Sequence, residues 1–293
     1  MKLGIIGGSG LYDIEGLTDI KNRMLKTPFG KPSDCYTGGK IAGNEVFFLP
    51  RHGKGHRIMP GEINYRANIL GFKMLGVDRI ISISAVGSLK ENLPPGTIVL
   101  PDQYYDRTKN SAQHTFFGNG IVAHVGFAEP ACSDLRGIIA ECVKQVVRKS
   151  PDGRKVKVQD GGTYVNMEGP AFSTKAESIV NRKMGFDVIG MTSLAEAKLC
   201  REAGICYQAI SMVTDYDCWH ETKEPVTVEM IIANLVANTS LAKHIIGHLV
   251  PVLCRTKKTC GCAEALKYAI ITNRKMIPAA TKKNLKLIIG SFI

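Results

Sequence analysis

Ser211-Met-Val-Thr-Asp-Tyr-Asp-Cys-Trp219, directly after the apolar run Ile205-Cys-Tyr-Gln-Ala-Ile210, is the stretch on which the fold turns. The apolar run reads as a buried strand that ends near Thr214. If the backbone stays extended, Asp215 and Asp217 point to one side and Tyr216 to the other, because side chains alternate along a strand. Two carboxylates that close raise at least one pKa, and burial raises it further. One could then be a neutral hydrogen donor near neutral pH while its partner remains an acceptor. A turn with two solvated aspartates also fits this stretch taken alone.

The same grammar recurs upstream. Lys2-Leu-Gly-Ile-Ile6 reads as a first strand running into Gly7-Gly-Ser-Gly10. Dinucleotide spacing fails there, since after Gly8 and Gly10 the third glycine position holds Asp13. A glycine turn with the Ser9 hydroxyl suits phosphate, or is a plain tight turn. Val46-Phe-Phe-Leu49 is a strand emptying into Pro50-Arg-His-Gly-Lys-Gly-His56. Arg51 there offers a bidentate fork to an oxyanion and His52 a second donor, with solvated charge as the alternative.

Apolar spacing predicts a helix over 63–75 ending at Gly76, then strands Arg79-Ile-Ile-Ser-Ile-Ser84 and Thr97-Ile-Val-Leu100. Ala85-Val-Gly-Ser88 between them reads as a small-residue turn, and the second strand leads into Asp102-Gln-Tyr-Tyr-Asp106. Residues 114–124 are polar and irregular, suited to a loop over a site or between subunits. An amphipathic helix covers 133–149 and is broken by Pro151-Asp-Gly153. Gly161-Gly-Thr-Tyr-Val-Asn-Met167 is a further strand; after Glu168-Gly-Pro-Ala-Phe-Ser173, Thr174 caps a helix with Glu177 at the capping-box position. Asp187-Val-Ile-Gly-Met191 leads through Thr192-Ser193 into a helix over 194–203. A long helix is expected over 228–249, a linker over 254–262 and a short helix over 263–273. Alternating strands and helices, with site-like loops at strand ends, give an α/β fold: one domain with a central mixed β-sheet flanked by helices. That domain is expected over 1–253, followed at 254–293 by a basic extension packed on it or on a neighbouring subunit.

Composition narrows the function classes. No run of about 18 apolar residues occurs, so no membrane span is expected. The start is too short and glycine-rich for a signal peptide, which points to the cytoplasm. The net charge of +12 resembles a nucleic-acid signal until it is located. Nine Lys and Arg against the single acid Glu264 after residue 254 account for most of it, so nucleic acid is not expected as a partner. Nine cysteines argue against a secreted disulfide scaffold. Cys260-Gly-Cys262 lacks common zinc-knuckle spacing, which leaves free thiols or intracellular disulfides.

The loops, taken in order, resemble the purine nucleoside phosphorylase superfamily, in its 5′-methylthioadenosine phosphorylase branch. The matching pieces include Gly4-Ile-Ile-Gly-Gly-Ser-Gly-Leu11, Pro50-Arg-His-Gly53, Met59-Pro60 with Asn64-Tyr65, Ser84-Ala-Val-Gly-Ser88 and Ala128-Glu-Pro130. Met167-Glu-Gly-Pro170, Met191-Thr192, and Ala203-Gly-Ile-Cys206 through Thr214-Asp-Tyr-Asp-Cys-Trp219 complete the set. The resemblance implies a phosphate site from Ser9, Arg51, His52, Ser84, Ala85 and Thr192, with Met191 against the ribose. It implies a base pocket from Phe172, Ser173, Thr214, Asp215 and Asp217. It also places Val228, Ile231 and Ile232 around a 5′-methylthio group, although their helical spacing alone would make them core, and brings His124 from a neighbouring subunit. A trimer or dimer of trimers is implied, and Cys260-Gly-Cys262 is similar to archaeal members and their disulfides, hence a thermophilic source.

The expected chemistry is phosphorolysis. Breaking an N-glycosidic bond builds positive charge on the sugar and negative charge on the purine. Inorganic phosphate serves as nucleophile and counter-charge, and a protonated Asp215 donates to purine N7 with Asp217 supporting the base contacts. Neither a metal nor an organic cofactor is called for. Two carboxyls favour a 6-amino purine over a 6-oxo one, and an aliphatic slot favours a thioether over a hydroxyl. A broader phosphorylase accepting adenosine, inosine or guanosine is the alternative.

Overall fold

The computed structural model describes residues 1–8, 16–148, 155–220 and 228–293, with backbone alone for 111 and 228–237. In chain order the strands and helices begin with β1 (Leu3–Gly7), β2 (Leu17–Arg23), β3 (Tyr36–Ile41), β4 (Asn44–Pro50), α1 (Tyr65–Met74) and β5 (Arg79–Ser88). Next come β6 (Ile98–Leu100), β7 (Gln103–Asp106), α2 (Ser133–Arg148), β8 (Val158–Asp160), β9 (Thr163–Asn166) and α3 (Lys175–Lys183). The chain continues with β10 (Val188–Gly190), α4 (Ser193–Glu202), β11 (Cys206–Tyr216), α5 (Val228–Arg255), α6 (Ala279–Asn284) and α7 (Lys286–Ile289).

The centre is four parallel strands, β4, β1, β5 and β11, whose near-continuous apolar runs suit a sheet buried on both faces. Side chains of alternate parity enter opposite cores. Ile5, Ile81, Ile83, Ile210 and Met212 meet α2 and α5 through Leu135, Ile139, Ile245 and Leu249. Ile6, Ile80, Tyr207 and Ala209 meet α1 and α4 through Ile69, Phe72, Ala195 and Leu199. Gly71 lets Tyr36 under α1: a Cβ there would lie 2.1 Å from the phenol oxygen, which donates to the Asn68 carbonyl at 2.7 Å.

The sheet forks at β5. One edge of β5 pairs with β11 along its whole length. Its other edge pairs first with β1 and then, at Gly87 and Ser88, antiparallel with β10, which carries β9 and β7 beyond it. The small residues 85–88, expected as a turn, are therefore strand. Small side chains fit there because β10 and β11 close in on both edges.

Several other expectations are corrected. β2 and β3 escape a pattern reading because β2 is polar and exposed on nearly every residue, with no apolar alternation to read. β7 stands where no separate strand was expected. The expected helix over 263–273 is a 3-10 turn at Gly261–Glu264 followed by irregular chain. Its backbone bonds elsewhere: His124 N–H donates to the Ala269 carbonyl at 2.9 Å, and Ile271 N–H to the Val122 carbonyl at 3.0 Å. Beyond it, Leu285, Ile288 and Ile289 are buried in the cluster that holds Ile63 and Tyr65. Lys282, Lys283 and Lys286 thus ride on short helices whose apolar side chains dock. α5 runs past the expected end at 249, carrying Pro251 within one turn of its C-terminus.

Candidate active site

Because β4, β1, β5 and β11 are parallel, their C-terminal ends share one rim, where α/β proteins bind ligands. The Arg51 amide donates to the Gly7 carbonyl at 3.0 Å and ties the loops after β4 and β1 together. At the end of β11 the register slips: Val213 faces Val86 but Asp215 faces Gly87, with Thr214 left over as a bulge. Simple alternation therefore does not hold across Thr214, yet the two acids still converge. A Cβ on Gly87 would lie 3.3 Å from Asp215 Oδ1 and 3.5 Å from Asp217 Cβ, so glycine makes room for the pair.

Burial pushes the Asp215 carboxyl up; the Thr214 hydroxyl, donating to Oδ2 at 2.7 Å, opposes this, and the charge of Asp217 adds to it. Burial also raises Asp217, against the pull of Ser178, the Cys218 amide and Ser173. Its Oδ2 has no formed hydrogen bond among the described residues. The pair is backed by Trp219, buried, with its indole N–H donating to the Ser88 carbonyl at 2.8 Å and the Arg182 guanidinium 3.7 Å above its ring. Asp215 is half-buried at the end of β11 and Asp217 is buried just beyond it, which does not fit a solvated turn.

On the other side of the rim, Arg51 is only 2% exposed. Its Nε donates to Glu196 Oε1 at 2.5 Å, Nη2 to Ser82 Oγ at 2.6 Å and Nη1 to the Ile83 carbonyl at 3.3 Å. Ser82 and Tyr207 add hydroxyl donors to Glu196 Oε2 at 2.6 and 2.9 Å. The fork read as open to an oxyanion is thus clasped internally, and one Nη1 hydrogen has no partner among the described residues. His52 Nδ1 lies 2.8 Å from the Ile58 carbonyl, which can only accept, so Nδ1 carries the hydrogen. Burial, with the charge of Arg51, lowers the His52 pKa to about 4, so the ring is neutral and Nε2 is an acceptor. His52 becomes a second donor only when protonated. Ser84 Oγ is buried without a partner among the described residues, and Ala85 beside it is exposed. Thr192 is buried at the start of α4 and makes no side-chain cap, which leaves its hydroxyl for another partner. Ser9 lies outside the described residues.

Between these two poles, Asn166 Nδ2 holds the Met191 carbonyl at 3.2 Å. A narrow cleft runs past Met191, lined also by Pro60, Tyr65, His114 and Glu168. Phe172 stands 68% exposed on the loop before α3, with Ser173 half-buried next to it. Val228, Ile231 and Ile232 fall on the first turns of α5, their side chains outside the described residues. His124 is exposed where the backbone bridges to Ala269.

A family model described as the phosphorylase superfamily matches residues 2–251. The chain belongs to the phosphorylase superfamily. It is 53% identical over 291 residues to the S-methyl-5′-thioadenosine phosphorylase of Geobacter sulfurreducens, covering 99% of both chains. It is 51% identical over 292 residues to that of Thermosynechococcus vestitus, covering 100% of this chain and 99% of the relative. Among solved structures, a methylthioadenosine phosphorylase from an antarctic soil metagenomic library superposes with a TM-score of 0.91 at 42% identity, over 98% of each chain. A variant of the adenosine/methylthioadenosine phosphorylase of Schistosoma mansoni in complex with methylthioadenosine gives 0.80 at 33%, over 100% and 99%.

For a phosphorylase-superfamily chain, the network around Glu196 is the feature sequence reasoning missed. The signal was present: Glu196 interrupts Leu194-Ala-Glu-Ala-Lys-Leu-Cys200, where core spacing places an acid that must find a cation. Its partner lies 145 residues away, and no local pattern names it.

Proposed function

We propose that this chain catalyses phosphorolysis of 5′-methylthioadenosine, giving adenine and 5-methylthioribose 1-phosphate. The observation that carries the reading is the acid pair, half-buried Asp215 and buried Asp217, held against Gly87 at the rim. Burial shifts the Asp215 carboxyl toward its protonated form, which can pass its proton to purine N7 as the glycosidic bond breaks. Asp217 Oδ2, without a partner among the described residues, accepts from the 6-amino group. Phosphate sits near the Ser84 and Thr192 hydroxyls, that Nη1 hydrogen of Arg51 and His52 Nε2, which takes a phosphate hydroxyl's hydrogen or a proton. Met191 lies along the sugar. The two substrates balance the reaction, so it is written without metal or organic cofactor.

In this reading the active unit is a trimer or a dimer of trimers, in which His124 reaches a neighbouring subunit's sugar site. Adenosine is the second substrate to consider, because the Schistosoma neighbour is described as acting on both nucleosides. The test is adenine release from methylthioadenosine with and without inorganic phosphate, beside adenosine and inosine. Phosphate-dependent release, fastest with methylthioadenosine, is expected. Equal or faster cleavage of inosine would overturn the role given to the acid pair.

A further inference from the structure

We propose that Cys132, Cys206, Cys260 and Cys262 form a structural tetrathiolate site for a soft tetrahedral divalent cation, zinc first. The four sulfurs all lie within 4.8 Å of one another, though they come from the N-terminus of α2, the start of β11 and the segment after α5. A tetrahedron of zinc–sulfur bonds of about 2.3 Å has sulfur–sulfur edges of about 3.8 Å. Cys206 and Cys260, at 3.2 Å, lie on the near side of that value and well beyond a disulfide bond of about 2.05 Å. Cys132, Cys206 and Cys262 are buried and Cys260 is half-buried, so the centre is closed and offers no open coordination position of the catalytic kind.

The surroundings suit a dianionic centre. Cys132 immediately precedes the first turn of α2, and the positive charge of Lys258 lies near Cys206. Zinc bound by four thiols displaces four protons and changes no oxidation state. The spacing Cys260-Gly-Cys262 hid the site from sequence reading, because the other two ligands lie 54 or more residues upstream. The site would staple the point where α5 ends to the central sheet, and so anchor the extension that carries Ala269 to His124.

The protein purified anaerobically, under a phosphine reductant and without chelator, is expected to carry about one zinc per chain by elemental mass spectrometry. After stripping, Co²⁺ alone should restore an equivalent amount of metal with the visible bands of tetrahedral thiolate cobalt. Cys262→Ser should lose the metal, whereas Cys142→Ser, outside the cluster, should keep it. Metal-free protein that yields no cobalt bands overturns the proposal, as does peptide mapping that finds any of the four joined in disulfides in the anaerobic protein. The cobalt titration uses the unaltered chain, so the result stands even if Cys262→Ser fails to fold.

Discussion

Asp215→Asn is the substitution that bears most directly on the proposed mechanism. In the structure Asp215 Oδ2 accepts from Thr214 Oγ1 at 2.7 Å, while Oδ1 faces Gly87. An asparagine with its carbonyl toward Thr214 keeps that bond and turns its amide to the same side. It can still donate a hydrogen bond to purine N7 but cannot transfer a proton. The expected loss is that of a general acid alone, roughly 10²- to 10⁴-fold in kcat. At 1.36 kcal/mol per decade this is about 2.7–5.4 kcal/mol of transition-state stabilisation. The KM for methylthioadenosine should change little, since the hydrogen bond survives. Continuous adenine release at saturating phosphate, measured across pH, reads both quantities. The wild type should lose activity as pH rises through the raised Asp215 pKa, and the variant should lack that limb. A variant within about threefold of wild type in kcat, with its alkaline limb intact, would remove Asp215 from the role.

Three further outcomes rest on named contacts. Thr214→Val deletes a bond that favours ionised Asp215, so the alkaline limb of kcat should move to higher pH; a move to lower pH would contradict the assigned donor. Glu196→Gln leaves the buried Arg51 guanidinium without its counter-charge and should cost about 3–5 kcal/mol in urea unfolding, against about 1 kcal/mol or less were the pair solvated. Glu202, pushed up by burial to about 7 against the pull of Thr115 and Phe116, holds in the folded state a proton that the unfolded chain releases above about 4.5. Its contribution is therefore full below the unfolded pKa and lost as pH rises through about 7. Glu202→Gln should flatten that part of the pH–stability curve, by up to about 1.4 kcal/mol per pH unit, and an unchanged slope in urea titrations would refute it.

The legible parts of this fold were those set by local pattern. The buried parallel strands announce themselves as apolar runs, and Thr174 with Glu177 forms the capping box its spacing predicts, Thr174 Oγ1 accepting from the Glu177 amide at 3.2 Å. What escaped was set by partners distant in sequence. The extension of β5 through Gly87 depends on β10 and β11 closing on its two edges, and β2 is a strand only because β3 supplies its ladder. The acid pair was legible as two carboxylates near one strand end, but the bulge at Thr214 that aims them was not. Arg51 was legible as a cation in a loop that follows a strand, whereas its clasp by Glu196 was not, because the partners lie 145 residues apart.

That clasp changes how an anion would be held at this rim. A free guanidinium would attract phosphate by charge at long range, but Arg51 and Glu196 together are neutral, and both are shielded from water. Neutral His52 adds no charge. In the proposed phosphate site, what would face the anion is a set of directed groups: the Ser84 hydroxyl, unpartnered among the described residues, Thr192 at the start of α4, one hydrogen of Arg51, and an imidazole nitrogen that accepts. Such a set discriminates by shape and by protonation state, since only an anion carrying its own hydroxyl can satisfy His52 Nε2 without ionising the ring. Phosphate near neutral pH carries one and sulfate does not. A buried ion pair that looks at first like the loss of a phosphate ligand would thus make the proposed site a selective cradle rather than a charge trap.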